Sequence, residues 1–263
     1  MPRFAANLTM LFTEHPFLER FAAAAESGFT HVEFLFPYEH PADEVRTALD
    51  EAGLAQVLFN LPAGEWGAGD RGIAADPGRV DEFRAGVDTA LEYAAILDCR
   101  RLNCLAGLRL EGVARDAQWD TLVDNVRYAA GRVAGEDRTL LVEPVNDKDV
   151  EGFLLPRTDD VIALLDEVGD PSVRLQFDIY HVQRMEGDVT ARLRTLLPRI
   201  AHLQVADNPG RHQPGTGELN FQFLFDEIDR LGYDGFVGLE YSPQPDTVGS
   251  LAWLERPQTT SGA

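Results

Sequence analysis

Thr139-Leu140-Leu141-Val142-Glu143-Pro144-Val145-Asn146 is an almost wholly apolar run that stops at a carboxylate followed by proline. A segment apolar on both faces suits a parallel strand covered by helices. Pro144 has no amide proton to give to a sheet ladder, so pairing is expected to end there. Glu143 then stands at the carboxyl end of a buried strand. Taken in isolation it reads as an exposed glutamate opening a loop, so its neighbours must decide.

Outward from this run the chain keeps one rhythm. Strands are expected at 4–8, 31–36, 54–60 and 101–106 before it, with 139–145 the fifth, and at 173–179, 200–206 and 235–241 after it. Helical periodicity falls at 16–26, 42–52, 79–97, 116–133, 158–168, 189–197, 221–231 and 250–254. Strands alternating with helices demand a parallel sheet with right-handed crossovers. Eight such units in 263 residues fit a closed α/β fold, the single-domain (β/α)₈ TIM barrel. An open doubly wound sheet is the runner-up, but no GxGxxG follows the first strand. No linker or composition shift divides the chain, so residues 1–256 are expected to form one catalytic barrel domain. The small polar residues 257–263 are expected to be a flexible C-terminal tail.

Composition narrows the function. The formal net charge of -21 repels polyanions, so no nucleic-acid partner is expected. Lys148 is the sole lysine, which leaves one candidate for Schiff-base chemistry and makes nearly all positive charge arginine. No run approaches a membrane span, and the N-terminus lacks a signal-peptide apolar region. Cys99 and Cys104 are too few for a disulfide framework, and reduced thiols in a cytoplasmic protein are the expectation.

In a barrel the chemistry gathers at the carboxyl ends of the strands. Glu143, Asp178, Gln204 and Glu240 end four consecutive strands there. Three converging carboxylates repel one another unless a cation joins them. All-oxygen donors point to one divalent ion, Mg²⁺ or Mn²⁺, rather than zinc. His181, three residues beyond Asp178, is close enough to reach a substrate, and His202 is expected to point the same way but deeper. The glycine-rich loop at 63–72 carries Glu65, Trp66 and Arg71, which suits a lid and an anion grip. Arg211 is a second anion-binding candidate, and Pro214-Gly-Thr-Gly-Glu218 a weak phosphate-cradle signal.

Longer matches carry a family resemblance. They include Val32-Glu-Phe-Leu-Phe-Pro-Tyr, Asn60-Leu-Pro-Ala-Gly-Glu-Trp, Glu143-Pro-Val-Asn, Gln176-Phe-Asp-Ile-Tyr-His and His202-Leu-Gln-Val-Ala-Asp-Asn-Pro. Through them the chain resembles the hydroxypyruvate isomerase family of the xylose-isomerase-like TIM barrels, nearly end to end. The resemblance implies metal ligation by Glu143, Asp178, Gln204 and Glu240, with Glu143 and Glu240 doubling as proton-transfer groups. It implies interconversion of hydroxypyruvate and 2-hydroxy-3-oxopropanoate through an enediolate, within glyoxylate metabolism. Alternatives on the same site are a 2-oxo-tetronate isomerase and a ketose 3-epimerase; more distant rivals are a metal-dependent phosphodiesterase and a non-catalytic sugar-acid sensor. The partner implied is a small sugar acid, with assembly into a homo-oligomer left open. Relatives tend to carry a lysine where this chain has Ser242, so any role of that lysine is expected to be absent or to pass to an arginine.

Overall fold

Hydrogen bonding closes eight parallel strands on themselves in the computed structural model, which describes residues 1–254. They are β1 (Arg3–Asn7), β2 (His31–Glu33), β3 (Ala55–Asn60), β4 (Arg101–Cys104), β5 (Thr139–Val142), β6 (Val173–Asp178), β7 (Ile200–Val205) and β8 (Phe236–Leu239). Each pairs with the next, and β8 returns to β1 with Arg3 opposite Phe236. The covering helices are α1 (Arg20–Glu26), α2 (Ala42–Ala52), α3 (Val80–Leu97), α4 (Arg115–Ala134), α5 (Thr158–Val168), α6 (Ile179–Met185), α7 (Val189–Leu196), α8 (Phe221–Arg230) and α9 (Thr247–Ser250). The tail expected over 257–263 lies outside the described residues.

Every strand but β3 ends earlier than its apolar run suggests. β5 stops at Val142, so Glu143 and Pro144 leave the ladder together, as a residue without an amide proton requires. The sixth helix has no counterpart in the sequence reading. Asp178 ends β6 and at once caps α6, its side chain accepting the Tyr180 amide at 2.8 Å. The helix expected at 250–254 instead begins at Thr247 and finishes as a 3-10 turn, Leu251–Trp253.

Side-chain alternation stacks the barrel interior in levels. Ala5, Val57, Leu58 and Leu141 form an apolar cluster separate from the main core. Three of these lie two residues before Asn7, Asn60 and Glu143, so the apolar level floors a polar one. Across the barrel β8 contributes Gly238, where an added Cβ would come within 2.2 Å of Glu33 Oε1. The missing side chain lets a carboxylate from β2 reach the barrel axis. Gly238→Ala is expected to destabilise the fold by ~1–3 kcal/mol through overpacking; an unchanged urea midpoint would contradict this close approach.

Candidate active site

At the carboxyl-terminal mouth every strand delivers a buried polar side chain. Asn7, Glu33, Asn60 and Asn103 come from β1 to β4, and Glu143, Asp178, Gln204 and Glu240 from β5 to β8 or one residue beyond. The first four escaped the sequence reading: Asn7 and Asn60 end or nearly end their apolar runs, but Glu33 and Asn103 stand in the middle of the runs expected at 31–36 and 101–106, which the structure cuts short.

Hydrogen bonds join most of this ring. Asn103 Nδ2 donates to Asn60 Oδ1 and to Glu143 Oε2, both at 3.2 Å. Gln176 Nε2 donates to Glu143 Oε2 at 2.9 Å and to Gln204 Oε1 at 2.6 Å. Glu33 Oε1 then accepts from Gln204 Nε2 at 2.8 Å and from Asn7 Nδ2 at 3.0 Å, while Glu33 Oε2 lies 2.6 Å from His202 Nε2. Both donors to Glu143 fall on Oε2, which leaves its Oε1 buried without a hydrogen-bond partner. Glu143 is only 5% exposed, so the loop-glutamate reading does not hold.

Ligand atoms of Glu143, Asp178, His181 and Glu240 lie within 4.8 Å of one another. Burial, then the charges of Glu240 and Asp178, push the Glu143 carboxyl well above its ordinary range. Burial raises Asp178 as well, and lifts Glu240 to about 8, with Arg211 opposing both shifts. Arg211 Nη2 reaches Glu240 Oε2 at 2.6 Å and Asp178 Oδ2 at 3.5 Å. Its guanidinium thus lies against two of the three acids. With the partnerless Glu143 oxygen and the Gln204 carbonyl, this donor set fits a hard, oxygen-seeking ion.

His181 plays a different part. Asn146 Oδ1 accepts the Lys148 and Asp149 amides, so the other end of the Asn146 side chain, Nδ2, faces His181 Nδ1 at 2.6 Å. A ring nitrogen that accepts a proton carries none, which puts the imidazole proton on Nε2. That nitrogen faces Asp178 Oδ2 at 3.5 Å and Glu143 Oε1 at 3.9 Å. Burial, with Arg211 and Arg184, holds His181 well below its ordinary pKa, so it stays neutral and acts as a donor.

The arm carrying Arg211 is built by Asp207. This buried carboxylate accepts the amides of Asn208, Gly215, Gly217 and Leu219. The Pro214-Gly-Thr-Gly-Glu218 amides are therefore already engaged, and the loop is no phosphate cradle. Arg211 itself adopts φ 56, and its carbonyl accepts the Ser242 amide at 2.7 Å. Position 242 thus holds the arginine arm through its backbone.

The structure does not bring Arg71 to the carboxylates. Its guanidinium stacks 4.2 Å from the Trp66 ring and donates to the Trp66 and Asp70 carbonyls. Nor is its loop an untethered lid. Asp70 accepts the Glu65 amide and ion-pairs with Arg79, and Gly72 packs against the Leu105 carbonyl so closely that a Cβ would sit 2.2 Å away. Glu65 and Trp66 line a cavity of about 590 Å³ with Thr9, Phe36 and Tyr38, residues just past β1 and β2 on the same mouth.

Fold and site together define a (β/α)₈ barrel with a buried, acid-rich centre at its catalytic end. The family model for the xylose isomerase-like TIM barrel matches residues 21–256. A 2-oxo-tetronate isomerase of Cupriavidus necator is 48% identical, the match covering 97% of this chain and 98% of that one. A hydroxypyruvate isomerase of Escherichia coli is also 48% identical, over 97% of this chain and 99% of the relative. A crystal structure from Brucella melitensis, described as an AP endonuclease of family 2, superposes with TM-score 0.94 at 47% identity, over 97% of this chain and 98% of that one. The chain belongs to the xylose isomerase-like TIM barrel family, on the branch whose close relatives include hydroxypyruvate and 2-oxo-tetronate isomerases.

A carboxyl that holds its proton more tightly folded than unfolded stabilises the fold below its unfolded pKa, and that contribution is lost as pH rises through the folded value. Glu143 and Glu240 are both raised, Glu240 from 4.5 to about 8. Chelator-treated protein is therefore expected to lose thermal stability as pH rises from about 5 to about 9. A Tm that rose over that range would contradict burial of these carboxylates.

Proposed function

We propose that this chain is an isomerase interconverting hydroxypyruvate and 2-hydroxy-3-oxopropanoate by proton transfer through an enediolate. Residues 1–256 act as one catalytic domain, with Glu143 and Glu240 as the acid–base pair. Glu143, Asp178, Gln204 and Glu240 would hold one divalent ion, Mg²⁺ or Mn²⁺. When bound, such an ion supplies Lewis-acid polarisation of the substrate carbonyl and stabilises developing negative charge. The observation that carries the reading is Glu143 Oε1, a buried carboxylate oxygen free of hydrogen bonds and facing the other acids.

The steps for the side chains follow. One carboxylate of the pair Glu143 and Glu240 takes a proton from the hydroxymethyl carbon of the substrate, leaving the enediolate. The other returns one to the former carbonyl carbon. The hydroxyl proton passes between the two oxygens, and the product is the aldehyde. Neutral His181 donates its Nε2 proton to a substrate oxygen, as a histidine held below its usual pKa is suited to do. Arg211, which reaches Glu240 and Asp178, is placed to grip the substrate carboxylate, with Arg71 on the Trp66 loop the other candidate. Glu65 and Trp66, in the cavity beside Thr9 and Tyr38 on the same mouth, would contact the substrate from the β1–β2 side.

A second reading, 2-oxo-tetronate isomerisation, is favoured by the equally similar Cupriavidus necator relative. Likeness to epimerases is one of fold, as with the Escherichia coli 3-keto-D-glucoside 4-epimerase at 23% identity and TM-score 0.80. A phosphodiesterase centre would want several histidines, whereas this cluster holds one. Buried free Cys99 and Cys104, their thiols pushed up to about 12 by burial, support a reducing cytoplasmic setting in which glyoxylate metabolism operates.

Glu143→Gln is expected to lower kcat for hydroxypyruvate by ~10²- to 10⁴-fold with the fold intact. Turnover in D₂O is expected to place deuterium on the carbon that receives the proton. Full activity of the variant would remove Glu143 from the acid–base pair, and product free of deuterium would replace proton transfer with a hydride shift.

A further inference from the structure

We infer that Glu33 is a positioning residue that fixes which end of the Gln204 amide faces the reaction centre. A glutamine amide has an oxygen end and a nitrogen end of nearly equal size, and only the oxygen can ligate a cation or accept a hydrogen bond. Something must therefore select the orientation of Gln204, and position 33 meets the requirement.

Glu33 closes β2, is fully buried, and reaches across the axis to β7. Its Oε1 already accepts from Asn7 Nδ2. The same oxygen takes the Gln204 Nε2 proton at 2.8 Å, which turns Gln204 Oε1 away from Glu33 and toward Gln176, itself bonded to Glu143. One lone pair of Gln204 Oε1 accepts from Gln176 Nε2 at 2.6 Å, and the second remains for the site. Reversing the amide would set oxygen against the Glu33 carboxylate and N–H against N–H at Gln176, two buried mismatches at once. Asn7 Nδ2 and His202 Nε2 hold the Glu33 carboxylate, and the bare Gly238 backbone gives it room. Four strands thus maintain the direction of one amide.

The inference rests on the cation-dependent reading above, and Mn²⁺ titration of the free protein separates the two. Wild-type protein is expected to bind Mn²⁺, and Glu33→Leu, which removes the acceptor, to weaken that affinity by ~10- to 100-fold, the usual cost of losing a residue that orients a ligand. Glu33→Gln removes the same charge but keeps a carbonyl able to accept from Gln204, with His202 Nε2 free to accept from the new amide. It is expected to stay within a few-fold of wild type, roughly the scatter of such measurements. Equal losses in both variants would show that charge, not orientation, is what Glu33 supplies, and an unchanged Glu33→Leu would show no role; either overturns the proposal. Should Glu33→Leu not fold, Gly238→Ala decides, because its methyl displaces the carboxylate while the charge stays. Weakened Mn²⁺ binding by that variant supports the role, and wild-type binding overturns it. No Mn²⁺ binding by the wild type would sink the cation-dependent reading itself.

Discussion

Mutual repulsion among Glu143, Asp178 and Glu240, three buried carboxylates at the end of one barrel, is the constraint around which the interior is arranged. At such separations in a poorly polarisable interior, unscreened acids oppose one another's ionisation. The surrounding polar groups limit that cost. Asn103 and Gln176 donate to one oxygen of Glu143, Tyr180 N donates to Asp178, and Arg211 bridges Asp178 and Glu240. Among the atoms they leave unmet is one Glu143 oxygen, in a cluster with Asp178, His181 and Glu240 that could hold a metal ion.

The same arrangement explains the fold's local departures from regularity. β5 ends before Glu143 so that the side chain can leave the ladder, and Asp178 serves β6 and α6 at once without an intervening loop. Asp207 gathers four amides of the loop after β7 and so holds up the turn from which Arg211 descends. Buried polar networks of this kind are favourable only when nearly every member is satisfied.

Much of this was legible in the sequence. Eight apolar runs separated by helical periodicity define the barrel, and the four acid or amide residues ending the later runs mark the mouth. Asn7 and Asn60 carry the same signal but read as ordinary strand ends, whereas Glu33 and Asn103 lie inside apolar runs whose early termination only the fold reveals. α6 is too short, at seven residues, to display a helical period, and it starts on a residue already assigned to a strand. Arg71 and Arg211 were indistinguishable by type. Only the folding of their loops separates them, since one stacks on Trp66 and the other is drawn down to Glu240. The tautomer of His181 depends on Asn146, thirty-five positions away, and no local pattern encodes that contact.

The central claim is that Glu143, Asp178, Gln204 and Glu240 make a single cation centre. Its most direct test is a crystal of the protein grown with Mn²⁺ and measured for anomalous scattering. The account predicts one strong peak among those four side chains, with the Gln204 oxygen turned toward it. A peak elsewhere in the barrel, or none at saturating Mn²⁺, would contradict it.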